Sequence, residues 1–171
     1  NPLMSTIACH AAIRFDQNEE NPFCNKPMNY VFKTGVTKHD GLDSKLISDI
    51  IRIKDTIDLK NQPLLWNGAQ SSGNLFLSEE PAIKKLKEIL EIKILEYRKN
   101  FSGSNEGFIK NWPKDFALYG WLVSIKSGGK LDAHIHREGW LSGSIYLKMP
   151  KKRNPQEGNI LFGLRGSDYP D

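Results

Sequence analysis

Long apolar runs are missing from this 171-residue chain. No stretch approaches the roughly 18–20 consecutive apolar residues of a membrane-crossing helix, and the N-terminus lacks the basic stretch and long apolar core of an export signal. A membrane partner is therefore not expected. Cysteine is scarce as well: Cys9 and Cys24 are the only two, too few for a disulfide framework. They are expected as reduced thiols, which makes a cytoplasmic setting the simpler expectation. Internal repeats and low-complexity tracts are also absent.

No strong excess of charge of one sign is present. The net charge is +4, and the densest basic runs are Lys84-Lys85-Leu86-Lys87 and Lys148-Met149-Pro150-Lys151-Lys152-Arg153. The first shares a helical stretch with Glu79, Glu80, Glu88, Glu91 and Glu96, and a mixed-sign face is ordinarily just solvated. The second ends in Asn154-Pro155 and reads as an exposed turn. Neither forms the basic stripe that a nucleic-acid partner would require. The chain is 39% hydrophobic and 26% charged, as in globular domains. Its length suits one domain, or part of a larger one.

The first 15 residues can form a short helix, and residues 18–27 read as a polar, proline-containing linker or loop. From Asp43 onward, Leu46, Ile47, Ile50 and Ile53 or Ile57 follow helical spacing, with Asp43 or Ser44 able to cap the start. A second helix begins with Ser78 as cap, Glu79 and Glu80 at its positive end, and Pro81 in the first turn. Ile83, Leu86, Leu90, Ile94 and Tyr97 make one apolar stripe suited to packing on a sheet. After Phe101 the pattern changes, and residues 116–125, 131–136, 141–149 and 159–162 read as strands. Helices followed by strands predict an α+β layout, with helices backing one face of a largely antiparallel sheet.

The chemistry concentrates in Asp132-Ala133-His134-Ile135-His136. On a strand, residues two apart share a face, so Asp132, His134 and His136 can converge while Ile135 points away. Neutral imidazoles suit Fe(II), Zn(II), Cu(II) and Ni(II), and two nitrogens plus a carboxylate leave open positions on a non-haem iron. Gly128-Gly129 provides a turn before the pair. On the following strand Ser142, Ser144 and Tyr146 share one face, either water-facing or lining a cavity for a polar small molecule. Trp121 and Trp140 read as core packing in preference to an entrance lining. His10 and His39 read as surface or loop residues.

The stretch Trp121 to Gly129, followed by His134-Ile135-His136-Arg137-Glu138-Gly139-Trp140-Leu141-Ser142, resembles the 2-oxoglutarate- and Fe(II)-dependent oxygenases often found at the C-terminus of tetratricopeptide-repeat proteins. Tyr146 to Pro150 and Gly158 to Gly163 continue the likeness, and a weaker one begins near Gln70 and Leu75-Phe76. The resemblance implies a double-stranded β-helix, a jelly-roll core backed by helices, with iron at its mouth. It implies Fe(II), 2-oxoglutarate and O₂ as cofactors and co-substrates, with succinate and CO₂ released as a substrate is hydroxylated. It specifies the small-molecule co-substrate and leaves the hydroxylated substrate open.

In that family the first metal motif is usually His-x-Asp or His-x-Glu. His134 matches its histidine, and His136 stands where the carboxylate is usual. Three arrangements follow: His136 completes a three-nitrogen site, Asp132 supplies the carboxylate, or His136 contacts substrate. The first is favoured, with Asp132 as reserve metal ligand. Tyr146 and Ser144 are the candidate 2-oxoglutarate contacts, because their hydroxyls can hydrogen-bond a carboxylate. The family's distal His and basic residue normally follow the strand ending near Phe162. Residues 41–171 are therefore expected to be the N-terminal part of an oxygenase domain truncated at its C-terminus. Residues 1–40 are read as an N-terminal segment or the end of a preceding region.

Two rivals remain. A cupin shares the Gly128 and His134-Ile135-His136 opening but wants Glu after three or four intervening residues beyond the second His, where Trp140 and Leu141 stand. A non-enzymatic jelly-roll module would hold either an incidental histidine pair or a structural zinc. Such zinc sites usually close with four protein ligands, often cysteines, and Cys9 and Cys24 lie far away in sequence.

Overall fold

The computed structural model describes residues 2–17 and 21–163. Part of the expected 18–27 loop and the terminal Tyr169-Pro170-Asp171 lie outside the described residues. The chain divides into two compact units. One comprises the described residues of Asn1–Val31, Ser104–Asn111 and His134–Asp171, and the other comprises Phe32–Gly103 and Trp112–Ala133.

The second unit holds most of the buried core, and its helices arise much as their apolar spacing dictates. Helix α2 spans Ser44–Ile53, after α1 (Pro2–Arg14) in the first unit, and Asp43 caps it by accepting the Leu46 N–H at 2.8 Å. Leu46, Ile50 and Ile53 are its buried residues, one stripe at positions i, i+4 and i+7. Helix α3 runs over Pro81–Asn100. Its N-cap is Glu80 and not Ser78, and no side chain caps it. The reason is local: proline disfavours helical backbone in the residue before it, and Glu80 is extended at φ −58°, ψ 125°. The buried residues are Ile83, Leu86, Ile89 and Tyr97. The buried arc is thus turned toward Ile89, leaving the expected Leu90 and Ile94 only half-buried. Tyr97 meets Phe32, Phe101 and Trp112 at ring separations of 5.9, 4.8 and 6.1 Å. The basic residues of α3 face acids, as their mixed pattern implies: Lys84 pairs with Glu79, and Lys85 with Glu88.

Three antiparallel strands form one sheet in the order β1-β2-β3: β1 Leu59–Lys60, β2 Leu65–Ser71 and β3 Val123–Leu131. Helix and sheet are thus mixed, as expected, but among the described residues only one of the four expected strand regions is paired over any length. The physical reasons can be read at each end of β3. Upstream, β2 turns away after Ser71, and along 118–122 the regular ladder gives way to two backbone bonds, from the Ser71 and Leu75 N–H groups to the Leu122 and Gly120 carbonyls at 2.9 Å, joined by side chains. Ser71 Oγ accepts the Leu122 N–H at 3.0 Å, and Asn74 Oδ1 accepts that of Gly120 at 3.1 Å. Asn74 Nδ2 donates to the Leu118 carbonyl at 3.0 Å. Downstream, the Asp132 N–H donates to Leu64 O at 2.8 Å, and the next residue on the opposing chain, Pro63, has no N–H to donate. Residues 141–149 and 159–162 are in no ladder.

Gly128-Gly129 form no turn ahead of the histidines. They lie inside β3, where the register jumps: Trp66 pairs with Lys130, but Gly68 pairs with Ile125. The extra β3 residues loop out at Gly128 (φ +73°), opposite Asn67 (φ +49°), whose Nδ2 donates to Ser127 O at 2.7 Å. A Cβ on Gly129 would fall 2.7 Å from the Trp66 carbonyl oxygen. Both glycines are required, one by its dihedral and one by the close approach.

The first unit contains helix α1 (Pro2–Arg14) and the one-turn helix α4 (Gly107–Lys110), with a 3₁₀ turn at Pro27–Tyr30. Rings gather at its centre: Phe23 packs edge-on to Trp140 at 5.2 Å, and Tyr30 edge-on to Phe108 at 4.8 Å. The Lys151 to Pro155 stretch is an exposed turn, in which Asn154 and Glu157 side chains accept backbone N–H groups. Among the described residues no helix is long and apolar enough to cross a membrane.

Two measurements probe this fold. Gly128→Ala places a Cβ on a left-handed backbone and is expected to lower unfolding free energy by about 1 kcal/mol in urea titration; an unchanged midpoint would contradict the bulge. The second concerns Asp40, held by Lys93 Nζ at 2.9 Å and by the Thr37 N–H and hydroxyl at 2.8 and 3.1 Å. The hydrogen bond from Lys93, then that from the Thr37 backbone, lowers its pKa from 3.8 to about 2. A depressed carboxyl stabilises above its unfolded pKa and loses that effect as pH falls toward the folded value. The thermal-midpoint gap between wild type and Asp40→Asn should therefore be full at neutral pH and shrink as pH falls from about 4 to about 2.

Candidate metal centre

His134 and His136 follow the end of β3 on chain that forms no ladder, so no strand pairing sets them side by side. The rings converge nonetheless. The two Nε2 atoms stand 3.1 Å apart, with ring centroids at 5.1 Å and planes tilted by 32°. With each nitrogen 2.0–2.1 Å from one ion, two imidazoles would stand about 2.8–3.0 Å apart at a right angle and about 3.3–3.4 Å apart at a tetrahedral one. The observed spacing lies between those values, so the pair fits two adjacent coordination positions.

Electrostatics favour the form a metal needs. Partial desolvation of the His136 ring, and after it the neighbouring His134, lower the His136 pKa below the ordinary imidazole value. Neutral imidazole is the ligating form. In the bare pair one ring nitrogen donates to the other, which fixes complementary tautomers.

Asp132 belongs to the second unit and is engaged there. Trp66 Nε1 donates to one carboxylate oxygen at 2.6 Å, and Lys130 Nζ reaches the other at 2.8 Å. The ammonium also lies 5.3 Å from the Trp66 ring centroid, closing a three-residue clamp. The Lys130 hydrogen bond, then that from Trp66, holds the Asp132 carboxyl below its usual range. Sequence pattern missed this clamp, because Trp66 is 66 positions away; only the strand register brings it opposite Lys130.

Ser144 and Tyr146 follow the histidines in the first unit, and both are exposed. Among the described residues no ladder sets them beside the pair. Both cysteines are free. Burial, with the Glu106 carboxylate second, pushes the Cys24 thiol up to about 11, so it is a protonated thiol near neutral pH. That works against its use as a zinc thiolate. Among the described residues no three His, Cys, Asp or Glu side chains gather around one point.

Residues 119–165 match the family model described as "Putative 2OG-Fe(II) oxygenase". The match begins at Tyr119, spans β3 and both histidines, and covers Ser144 and Tyr146. No curated protein and no solved structure matches the chain. The 2OG-Fe(II) oxygenase match points to Fe(II) and 2-oxoglutarate by its description, and the paired imidazoles are donors that suit such an ion.

The Asp132 clamp yields a local test. Trp66→Phe keeps the aromatic face but removes the N–H, and should speed hydrogen exchange at the Asp132 amide roughly three- to tenfold, while Ile125 within β3 stays protected. Equal exchange in both proteins would show that the clamp does not hold the strand end.

Proposed function

We propose that this chain carries part of a jelly-roll Fe(II)- and 2-oxoglutarate-dependent dioxygenase domain, and that His134 and His136 hold its iron. The observation behind this reading is the convergence of two imidazole nitrogens at 3.1 Å within the stretch matched by the oxygenase family. Bound iron with 2-oxoglutarate and O₂ supplies oxidative decarboxylation of the co-substrate, giving succinate and CO₂, coupled to hydroxylation of a substrate.

The chain's own residues then have distinct tasks. His134 and His136 bind the ion through Nε2. His136 is preferred over Asp132 as second ligand, because both Asp132 oxygens are already held, by Trp66 and Lys130, and ligation would forfeit those partners. The Ser144 and Tyr146 hydroxyls donate to a carboxylate of 2-oxoglutarate, a role supported by their place shortly after the pair. Two free thiols accord with a cytoplasmic setting.

The test is direct. The intact protein, purified anaerobically and loaded with Fe(II), should convert 2-oxoglutarate to succinate on admission of O₂, and His134→Ala should lower the rate on the order of 100-fold. Absence of turnover with or without candidate substrates, or Fe(II) affinity unchanged by His134→Ala, would overturn the reading.

A further inference from the structure

Past Asp132 no strand ladder holds the histidines, so something else must orient them. A fixed point shortly after them in the same unit is Trp140. Its indole Nε1 donates to the Phe108 carbonyl at 3.1 Å, and its ring packs edge-on to Phe23 at 5.2 Å. Between anchor and histidine the chain closes a turn, the Gly139 N–H donating to His136 O at 3.1 Å. His136 and Trp140 are thus the two ends of one short, hydrogen-bonded link.

The ground under that anchor is itself constrained. The Phe108 N–H donates to Phe23 O at 2.9 Å, so the residue that receives the indole is tied to the residue that packs against it. Phe108 is buried. Helix α4 approaches the Pro22-Phe23 backbone so closely that a Cβ on Gly107 would collide with the Pro22 carbonyl oxygen. Phe23, Phe108 and Trp140 therefore form one fixed corner of the unit.

We propose that Trp140 is a positioning residue for the histidine pair: its indole, fixed to Phe108 and Phe23, sets the His136–Gly139 turn and through it holds the two Nε2 atoms at ligating separation. It touches neither metal nor co-substrate. This rests on the reading of His134 and His136 as ligands, and extends it to a residue whose sequence pattern favoured packing over an entrance lining.

The test uses the intact protein, with Co(II) as the probe, titrated anaerobically and followed by its visible absorption. A second readout needs no metal: the NMR cross-peak between His134 and His136 ring protons in the metal-free protein. Trp140→Phe keeps an aromatic ring and removes the N–H. It is expected to weaken Co(II) binding roughly fivefold, the effect of losing about one neutral hydrogen bond, and to weaken the cross-peak, with the thermal midpoint within about 2 °C of wild type. Wild-type affinity and cross-peak in Trp140→Phe would overturn the proposal. If the wild type binds no Co(II), or binds it equally well after His134→Ala, the ligand reading fails and the metal-positioning role with it; the cross-peak then shows whether Trp140 still orders the two rings. Should Trp140→Phe fold poorly, Phe23→Leu keeps the indole hydrogen bond while removing its edge contact. The same two losses are expected there, and their absence counts equally against the proposal.

Discussion

The second unit depends on the antiparallel pairing of β2 with β3 and, within it, on the change of register between Trp66 and Gly68. A strand slipped by one residue turns every side chain to the opposite face. Here the looped-out residues at Gly128-Gly129 restore alignment, so that Lys130 lies opposite Trp66 and Leu131 opposite Leu65. Only with that alignment can Trp66 and Lys130 grip the two oxygens of Asp132. The ladder stops where Pro63 removes a donor, and the chain leaves the sheet just before the histidines.

The helices were legible in the sequence because their information is local. Asp43 followed by Leu46, Ile50 and Ile53 contains both cap and stripe, and the structure uses both. The start of α3 was less legible, since Ser78 and Pro81 compete as start signals and the backbone restriction imposed by proline prevails. Strand pairing was barely legible. Residues 141–149 alternate as well as 123–131 do, but a β-run becomes a strand only when a partner presents free N–H and C=O groups in register, and no short-range pattern encodes that partner. Gly128-Gly129 illustrates the same limit: the dipeptide announces an unusual backbone conformation but not whether it ends a strand or bulges within one.

At the candidate centre, sequence singled out two histidines whose rings do converge, but for an incomplete reason. Spacing of two along a strand was to bring His134 and His136 together, and they meet without a strand. The stretch matched by the oxygenase family contains the His-x-His motif. What sequence could not supply was the support: Trp140 read as ordinary packing, because its partner carbonyl on Phe108 is distant in the chain and has no side-chain signature.

The bulge in β3 also bears on how this protein meets other chains. Among the described residues β3 pairs on one side only, and an open strand edge is ordinarily a template for further strands. This edge is a poor template. Lys126 and Lys130 place charge along it, and the left-handed backbone at Gly128 breaks the row of evenly spaced donors and acceptors that an incoming strand would copy. A segment joining there can pair along Val123 to Ile125, or beside Lys130 and Leu131, but to do both it must carry a matching irregularity of its own. The residues that set the internal register thereby make the outer edge selective, admitting a strand shaped for it and discouraging the indiscriminate stacking that leads to aggregation.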